Sequence, residues 1–388
     1  MGNSGVQPRF GFGDLNTLTH LSPESGLRGN TLGCRLRHVI SILLSCLLAS
    51  PAIGEDPPSP PAYRVEIVHG YYPAWRASTH PPEEFDFSLL NRVGHCFAYP
   101  SDEGELIIPA ELQDPALVTA VHAAGAKVSL VLGGWGQCDG FSPTCADPIK
   151  RARFVGELAQ AVTAMSYDGV EFDWEYPADA ADRDNLTTCI SELRAALGPD
   201  KEIALAVPAS AWGGQWFSAS LLDHADRLHV MTYDYTGSWA SASGHHSALH
   251  PDGCSTPFSM TQALSYWLDR GVERKDLVLG VPFYGRSFNS GSLCQPFTTS
   301  GAASYADLLE LTTSNLWERK WNSKAKVSWL EESNGPGLWS YASPRSVREK
   351  ARYALKEKVC GVMIWEITHD VVDGEHLLLE PLTAPLLR

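Results

Sequence analysis

The sequence of 388 residues lacks any excess of positive charge. It contains 45 Asp and Glu residues against 30 Lys and Arg residues, which gives a formal net charge of −15. Because phosphate backbones and anionic lipids are bound by basic surfaces, we expect neither a nucleic acid nor a membrane as a partner. A neutral substrate fits this charge better.

The usual patterns of metal and cofactor sites are also missing. No CxxC motif and no group of histidines has the spacing of metal ligands, and we interpret His245 and His246 as a hydrogen-bonding pair in a loop. No glycine-rich phosphate loop is present, which counts against a doubly wound nucleotide-binding sheet. The sequence therefore predicts neither a metal nor a cofactor.

No apolar run is long enough to span a bilayer, but the N-terminal part has the pattern of an export signal. Residues 35–38 form a short basic segment that contains two arginines and a histidine. Residues 39–49 form a short apolar run, and residues 52–54 have the pattern of a cleavage site. We expect an N-terminal extension with a signal peptide at 1–54, a Pro-rich spacer at 55–64, and a secreted or periplasmic protein. A lipoprotein anchored at Cys46 is the alternative.

Seven of the nine cysteines follow the predicted signal peptide. Cys138 and Cys145 lie close together in a predicted loop, and such spacing favours a disulfide in an oxidising compartment. Cys254 and Cys294 flank a second loop region and could also pair. The remaining three are predicted to be buried free thiols: Cys96, Cys189 and Cys360.

Apolar β-branched segments alternate with helical periodicity from residue 65 to residue 388. The predicted strands lie at 66–75, 92–100, 127–135, 169–176, 202–210, 227–235, 276–286 and 361–368. Helices are predicted at 109–125, 147–165, 178–197, 259–270 and 343–357. Eight such units predict an α/β protein with a (β/α)8 TIM barrel, whose active site lies at the C-terminal strand ends. An open doubly wound sheet is the alternative.

The segment between the seventh and eighth predicted strands is too long for one connection. We therefore expect a small insertion at about 287–341 that forms one wall of a cleft. No internal repeat and no separate carbohydrate-binding module is visible.

The fourth predicted strand contains three acids with alternating spacing. Glu171, Asp173 and Glu175 should point into the barrel because successive strand side chains face opposite sides. Nearby like charges raise the pKa of at least one carboxyl group, which prepares it to donate a proton near neutral pH. Glu175, nearest the C-terminal end, is the predicted catalytic acid, whereas Asp168 is expected to bind backbone. Three residues should face the outer helices: Phe172, Trp174 and Tyr176.

The segment 168–175 resembles the DxxDxDxE signature of family 18 glycoside hydrolases, the chitinases and their relatives. Five further segments match in order: GYYPAW at 70–75, LGGW at 132–135, MTYDY at 231–235, GVPFYGR at 280–286 and GVMIW at 361–365. The resemblance covers the chain from about residue 65 to its end. It implies a monomeric chitinase that acts on chitin or N-acetylglucosamine-containing oligosaccharides.

The resemblance also implies a retaining mechanism in which the substrate supplies the nucleophile. Glu175 would protonate the glycosidic oxygen while the 2-acetamido oxygen attacks the anomeric carbon. Asp173 and Tyr233 would hold the acetamido group, and Asp234 would contact the sugar or Glu175. Trp365 would form the floor under the distorted sugar.

Other positions in the matching segments are candidates for sugar contacts. The expected substrate-binding residues are Trp75, Trp135, Tyr284, Met231 and Tyr71. Three further tryptophans follow predicted strands five and six and could stack on sugar rings: Trp212, Trp216 and Trp239.

The chain departs from the family pattern at two positions. Glu171 replaces the usual Asp, and Val131 replaces the usual Ser. Because Val131 offers no hydrogen-bond donor, we expect Glu171 to remain a member of the catalytic group that is paired with Asp173, with Tyr71 as its other partner.

Two alternatives to a chitinase remain open at this point. One is an endo-β-N-acetylglucosaminidase of the same family. The other is a non-catalytic chitin-binding lectin on the same fold, although such lectins usually lack the last Glu of the signature, which is present here as Glu175.

Overall fold

Eight parallel strands close into a barrel in the computed structural model, which describes residues 63–253 and 258–386. Numbered in chain order, all strands of the described residues, inside and outside the barrel, are β1 (Ile67–Pro73), β2 (Arg92–Pro100), β3 (Leu106–Ile107), β4 (Lys127–Gly133), β5 (Gly169–Asp173), β6 (Glu202–Pro208), β7 (Arg227–Met231), β8 (Leu277–Pro282), β9 (Tyr284–Asn289), β10 (Ser300–Ser304), β11 (Trp317–Asn322), β12 (Val327–Glu332), β13 (Gly337–Tyr341), β14 (Gly361–Trp365), β15 (Val371–Val372) and β16 (Glu375–His376). Hydrogen-bonded neighbours run in the order β1-β14-β8-β7-β6-β5-β4-β2, and β2 pairs again with β1. The predicted TIM barrel is confirmed.

Helices cover the outside of the barrel. Those predicted at 147–165, 259–270 and 343–357 follow the capping residues Asp147, Ser259 and Ser343, whereas the helix predicted at 109–125 begins only at Pro115. They are α1 (Pro115–Ala123), α2 (Phe141–Ala146), α3 (Pro148–Ala164), α4 (Ala180–Leu197), α5 (Ala211–Gly214), α6 (Met260–Asp269), α7 (Tyr305–Thr313), α8 (Pro344–Glu357) and α9 (Leu379–Thr383). Short 3-10 helices lie at Ala74–Arg76, Pro82–Glu84, Phe87–Leu89, Ala110–Leu112, Ala219–Asp223, Arg274–Asp276 and Ile367–Asp370. The described part of the chain contains no helix both long and apolar enough to cross a bilayer.

Side-chain alternation on β5 separates the lumen from the helical layer. Phe172 and Trp174 pack outside the barrel wall against Phe141, with ring centroids 5.8 and 5.2 Å away. At the start of the same connection, Asp168 accepts a hydrogen bond from the backbone of Val128 at 2.9 Å. The predicted outward and backbone-binding positions of these residues are confirmed.

A second sheet follows β8 directly and forms the predicted insertion. Its strands are antiparallel in the order β10-β9-β13-β12-β11, and α7 connects β10 to β11. The predicted seventh strand is too long at its C-terminal end, because residues from Tyr284 onward leave the barrel. Tyr284 and Arg286 instead pair with Ser304 and Ala302 of β10.

The predicted disulfide between Cys138 and Cys145 is wrong, since both are free thiols. The Sγ atom of Cys138 accepts a hydrogen bond from the Glu175 amide at 3.2 Å, beside the catalytic strand. Cys145 is buried on α2, where its thiol hydrogen-bonds with Cys189 of α4. The two sulfurs are therefore held in different surroundings.

The other cysteines agree with the sequence prediction as far as the structure describes them. Cys96, Cys189 and Cys360 are buried free thiols. Cys294 is disulfide-bonded. Cys254, its predicted partner, lies outside the described residues, as do the predicted signal peptide and Cys46.

Candidate active site

The three acids of β5 rise through the barrel toward its C-terminal mouth. Glu171 and Asp173 are buried in the lumen, and Glu175 lies just beyond the strand end, where it is partly exposed. Tyr176 does not point outward as predicted, because the strand ends at Asp173 and strict alternation stops there. Its hydroxyl instead donates a hydrogen bond to Glu175 Oε2 at 2.7 Å.

The environment of the upper two acids favours their protonated forms. Burial, followed by the charges of Glu175 and Glu171, holds the pKa of Asp173 well above its usual range. Burial also raises the pKa of Glu175 to about 7, with the Tyr176 hydrogen bond opposing and the charge of Asp234 adding to the rise. A carboxyl group with this pKa holds its proton near neutral pH and can donate it.

Glu171 is hydrogen-bonded by His229 and Tyr71 and not by Asp173. His229 Nδ1 lies 2.9 Å from Glu171 Oε1, and the Tyr71 hydroxyl donates to the same oxygen. His69 Nε2 lies 3.4 Å from the second carboxylate oxygen. The expected Glu171–Asp173 pair is wrong, because Glu171 Oε1 is bonded to Tyr71 and His229, while Glu171 Oε2 and Asp173 Oδ1 have no hydrogen-bond partner among the described residues. The expected Tyr71 contact is confirmed.

These contacts lower the proton affinity of Glu171. Burial alone would raise its pKa, but the attraction of His229 and His69 and the hydrogen bonds from His229 and Tyr71 lower it to about 2. Glu171 is therefore a buried carboxylate on the same strand as Asp173, whose pKa is raised.

The same residues include a donor set that metals can use. Ligand-type atoms of His69, Glu171 and His229 lie within 4.8 Å of one another, a proximity that the sequence spacing did not reveal. Two imidazoles and one carboxylate suit several transition metals. Here, however, Glu171 Oε1 already accepts hydrogen bonds from both His229 and Tyr71. We therefore interpret the group as a hydrogen-bonded cluster.

Tyr233 and Asp234 follow β7, which is separated from β5 by β6 in the barrel. The Tyr233 hydroxyl donates to Met363 Sδ at 3.8 Å, and burial raises the pKa of this tyrosine. Asp234 accepts two hydrogen bonds from the guanidinium of Arg286, at 2.9 and 2.6 Å. Although burial opposes it, Arg286 keeps the pKa of Asp234 below its usual range. The charge of the Asp234 carboxylate in turn raises the pKa of Glu175.

Three stacked rings form a platform at the barrel mouth. Phe97 lies between Trp365 and Trp75, with centroid distances of 5.8 and 6.0 Å and interplanar angles of 21° and 28°. Tyr71 contacts the edge of Trp365 at 5.4 Å. Since 53% of Trp75 is exposed, the platform offers aromatic surface to a ligand.

The remaining predicted contacts are distributed between the rim and the interior. Trp135, Trp212 and Trp239 are exposed after β4, β6 and β7, whereas Trp216 is partly buried. Tyr284 is buried, with its ring 6.2 Å from that of Tyr233. Met231 packs at the edge of the lumen cluster that contains Tyr71 and Met363.

Sequence reasoning missed several residues of this site, although alternation could have found some of them. His69 precedes Tyr71 by two positions, and His229 precedes Met231 by two, so both had to face the lumen. Arg286 was quoted in a motif without a role. The position of Phe97 follows from an irregularity of β2 between Cys96 and Ala98, and that of Cys138 from a folded loop, so neither could be read from alternation.

A closed parallel barrel with an acid ladder ending at a strand's C-terminal end is the arrangement of a glycoside hydrolase. The family model for glycosyl hydrolases family 18 matches residues 67–370. The chain therefore belongs to that family.

Relatives with curated descriptions and solved structures agree with this assignment. Probable chitinase 2 of Drosophila melanogaster is 30% identical over 280 residues, which cover 63% of this chain and 56% of that protein. Probable chitinase 10 of the same organism is 28% identical over 327 residues, 74% of this chain and 14% of that protein. The match thus spans about half of one relative and a small part of the other.

Solved chitinase structures share the barrel. The Group IV chitinase of Ostrinia furnacalis has a TM-score of 0.78 and 24% identity, and the alignment covers 83% of this chain and 100% of that one. The Class V chitinase of Nicotiana tobaccum has a TM-score of 0.76 and 22% identity, with 83% and 99% covered. A variant of the latter has been solved in complex with NAG4. At these identities the likeness establishes the fold.

Proposed function

We propose that the chain is a secreted chitinase that hydrolyses β-1,4 bonds between N-acetylglucosamine residues. The observation that carries the proposal is the pair Asp173 and Glu175, both with raised pKa values, at the C-terminal end of β5. The relatives named chitinases and a neighbour solved with NAG4 support this substrate class. The exposed aromatic platform supports a ligand with flat, weakly polar faces.

The proposed reaction proceeds with retention and with the substrate as nucleophile. Glu175 donates its proton to the glycosidic oxygen while the 2-acetamido oxygen attacks the anomeric carbon and forms an oxazolinium ion. Asp173 orients the acetamido N–H and stabilises the positive charge that develops beside it. The bond from the anomeric carbon to the glycosidic oxygen breaks, and the released sugar departs with the proton of Glu175. The deprotonated Glu175 then takes a proton from a water molecule, which attacks the anomeric carbon from the face that the leaving group occupied and opens the oxazolinium ring.

Several neighbours have supporting roles in this proposal. Tyr233 hydrogen-bonds the acetamido group, Asp234 contacts the sugar beside Glu175, and Trp365 forms the floor of the reactive subsite. Glu171 acts through Asp173. The outer sugar contacts are assigned to Trp75, Trp135, Tyr284, Met231 and Tyr71.

The biological setting is part of the same proposal. We propose that residues 1–54 contain the export signal, that residues 55–64 are a spacer, and that residues 65–388 form the catalytic domain of a monomer. A disulfide from Cys294 to Cys254 would suit an oxidising compartment.

A product profile distinguishes this function from its alternatives. The full chain should cleave chitotetraose and chitohexaose and leave a high-mannose glycoprotein intact. Deglycosylation of the glycoprotein with intact chitin oligomers would identify an endo-β-N-acetylglucosaminidase. Oligomer binding by calorimetry without turnover of either substrate would identify a lectin.

A further inference from the structure

Two buried histidines contact the lowest acid of the ladder, and the mechanism above gives them no role. His69 on β1 and His229 on β7 are 2% exposed, and their rings meet edge-on with centroids 4.7 Å apart. The carboxylate of Glu171 lies against both rings, with one oxygen 2.9 Å from His229 Nδ1 and the other 3.4 Å from His69 Nε2.

We propose that His229, with His69 packed beside it, is a positioning residue that holds the Glu171 carboxylate down the barrel and away from Asp173. The proposal rests on the proposed function, because Asp173 must be free to turn toward the acetamido group. A glutamate is one methylene longer than the aspartate it replaces, and an unrestrained Glu171 could reach Asp173 and share its proton.

The neighbouring strands explain why Glu171 needs donors from other strands. Val131 of β4 pairs in register with Glu171 and provides no donor. A buried carboxylate without hydrogen bonds would be costly, so its donors must come from across the lumen. Tyr71 and His229 both supply a donor to the same oxygen, while the other oxygen faces His69.

Several titratable groups face Glu171, and only some of them can stabilise its negative charge. The facing groups are His69 and Tyr71 of β1, Cys96 of β2, Asp173 of β5 and His229 of β7, with Arg92 and Arg227 at the base of the barrel acting at longer range. Burial lowers the pKa of His69 to about 3, so this ring is neutral. His229 supplies the decisive contact, because its Nδ1 lies 2.9 Å from Glu171 Oε1 whereas His69 Nε2 makes no hydrogen bond within the part of the chain that the structure describes.

The test compares two replacements of His229. In His229→Asn the amide nitrogen can occupy the place of Nδ1 and still donate to Glu171, whereas His229→Leu removes the donor. For His229→Leu we expect a kcat about 10- to 100-fold lower with little change in KM, which is the value of one hydrogen bond to a charged group. His229→Asn should retain most of the activity.

The pH profile separates positioning from general structural damage. Without its donor Glu171 gains proton affinity, so the acid limb of kcat/KM for His229→Leu should move upward by about one to two pH units. In a Glu171→Gln background, where no carboxylate remains at this position, the same replacement should cause no further movement of the limb.

A matched control is available on β2. His95 is also a fully buried strand histidine, but its Nδ1 contacts the Tyr167 hydroxyl at 2.8 Å outside the barrel wall. His95→Leu should lower the melting temperature without moving the acid limb. An equal shift of the limb in His95→Leu and His229→Leu would overturn the proposal.

A spectroscopic measurement keeps the proposal testable if the substrate assignment fails. Nitrogen-15 NMR of histidine-labelled protein should show that His229 carries a proton on Nδ1. An unprotonated Nδ1 would overturn the proposal, as would loss of activity on chelation that Zn²⁺ restores, because the cluster would then be a metal site. Absence of turnover in the wild type on every substrate would instead contradict the proposed function alone.

Discussion

The proton of Glu175 is controlled by residues on both sides of its carboxyl group. Burial favours the protonated form, the hydrogen bond from Tyr176 to Oε2 stabilises the charged form, and the charge of Asp234 adds to the effect of burial. The balance leaves a pKa of about 7, within reach of neutral pH. A partly exposed carboxyl group is thereby prepared to act as an acid and then as a base.

Replacing Glu175 by glutamine tests the acid directly. Glu175→Gln keeps the shape of the side chain but removes the transferable proton, so kcat on chitin oligomers should fall by about 10²- to 10⁴-fold. Oligomer affinity and melting temperature should stay close to those of the wild type. Unchanged turnover would remove Glu175 from the mechanism.

The alkaline limb of the pH profile tests the neighbours of Glu175. The acid must be protonated in the free enzyme, so kcat/KM should fall as the pH rises through about 7. Asp234→Asn removes a charge that raises this pKa and should move the limb to lower pH. Tyr176→Phe removes a hydrogen bond that lowers the pKa and should move the limb to higher pH. Movement of the alkaline limb in the same direction in both variants would contradict the assignment.

At the level of elements, β5 and the helices around it were predictable because their signals are local. Alternation placed Glu171 and Asp173 in the lumen, and Asp and Ser caps marked where the helices begin. The reversal at Tyr284 and the partners of Glu171 depend on strands far apart in the sequence. Such contacts become visible only after folding.

The cap of α3 gives a stability prediction at this scale. Asp147 accepts hydrogen bonds from the amides of Ile149 and Lys150 at 2.8 and 3.2 Å. Asp147→Ala should lower the free energy of unfolding by about 1 kcal/mol, measured by urea denaturation. Asp200→Ala, in an exposed turn before β6, makes the same charge change without a cap and should have little effect. Equal losses in the two variants would argue against a capping role.

At the scale of the whole molecule, six motifs that lie on separate strands in the sequence meet at one end of the barrel. The barrel and most of the candidate site followed from the sequence because each motif ends a strand. The predicted disulfide between Cys138 and Cys145 is wrong, since proximity along the chain does not determine where two thiols point. The role of the N-terminal segment remains a proposal about export.

The anomeric form of the first product tests substrate-assisted hydrolysis most directly. Proton NMR of chitotetraose, recorded within minutes of adding the full chain, should show the β-anomer before mutarotation. A fully deacetylated oligomer in a parallel sample should remain intact, because it lacks the acetamido oxygen that Asp173 would orient. Initial release of the α-anomer, or cleavage of the deacetylated oligomer at a similar rate, would contradict the account.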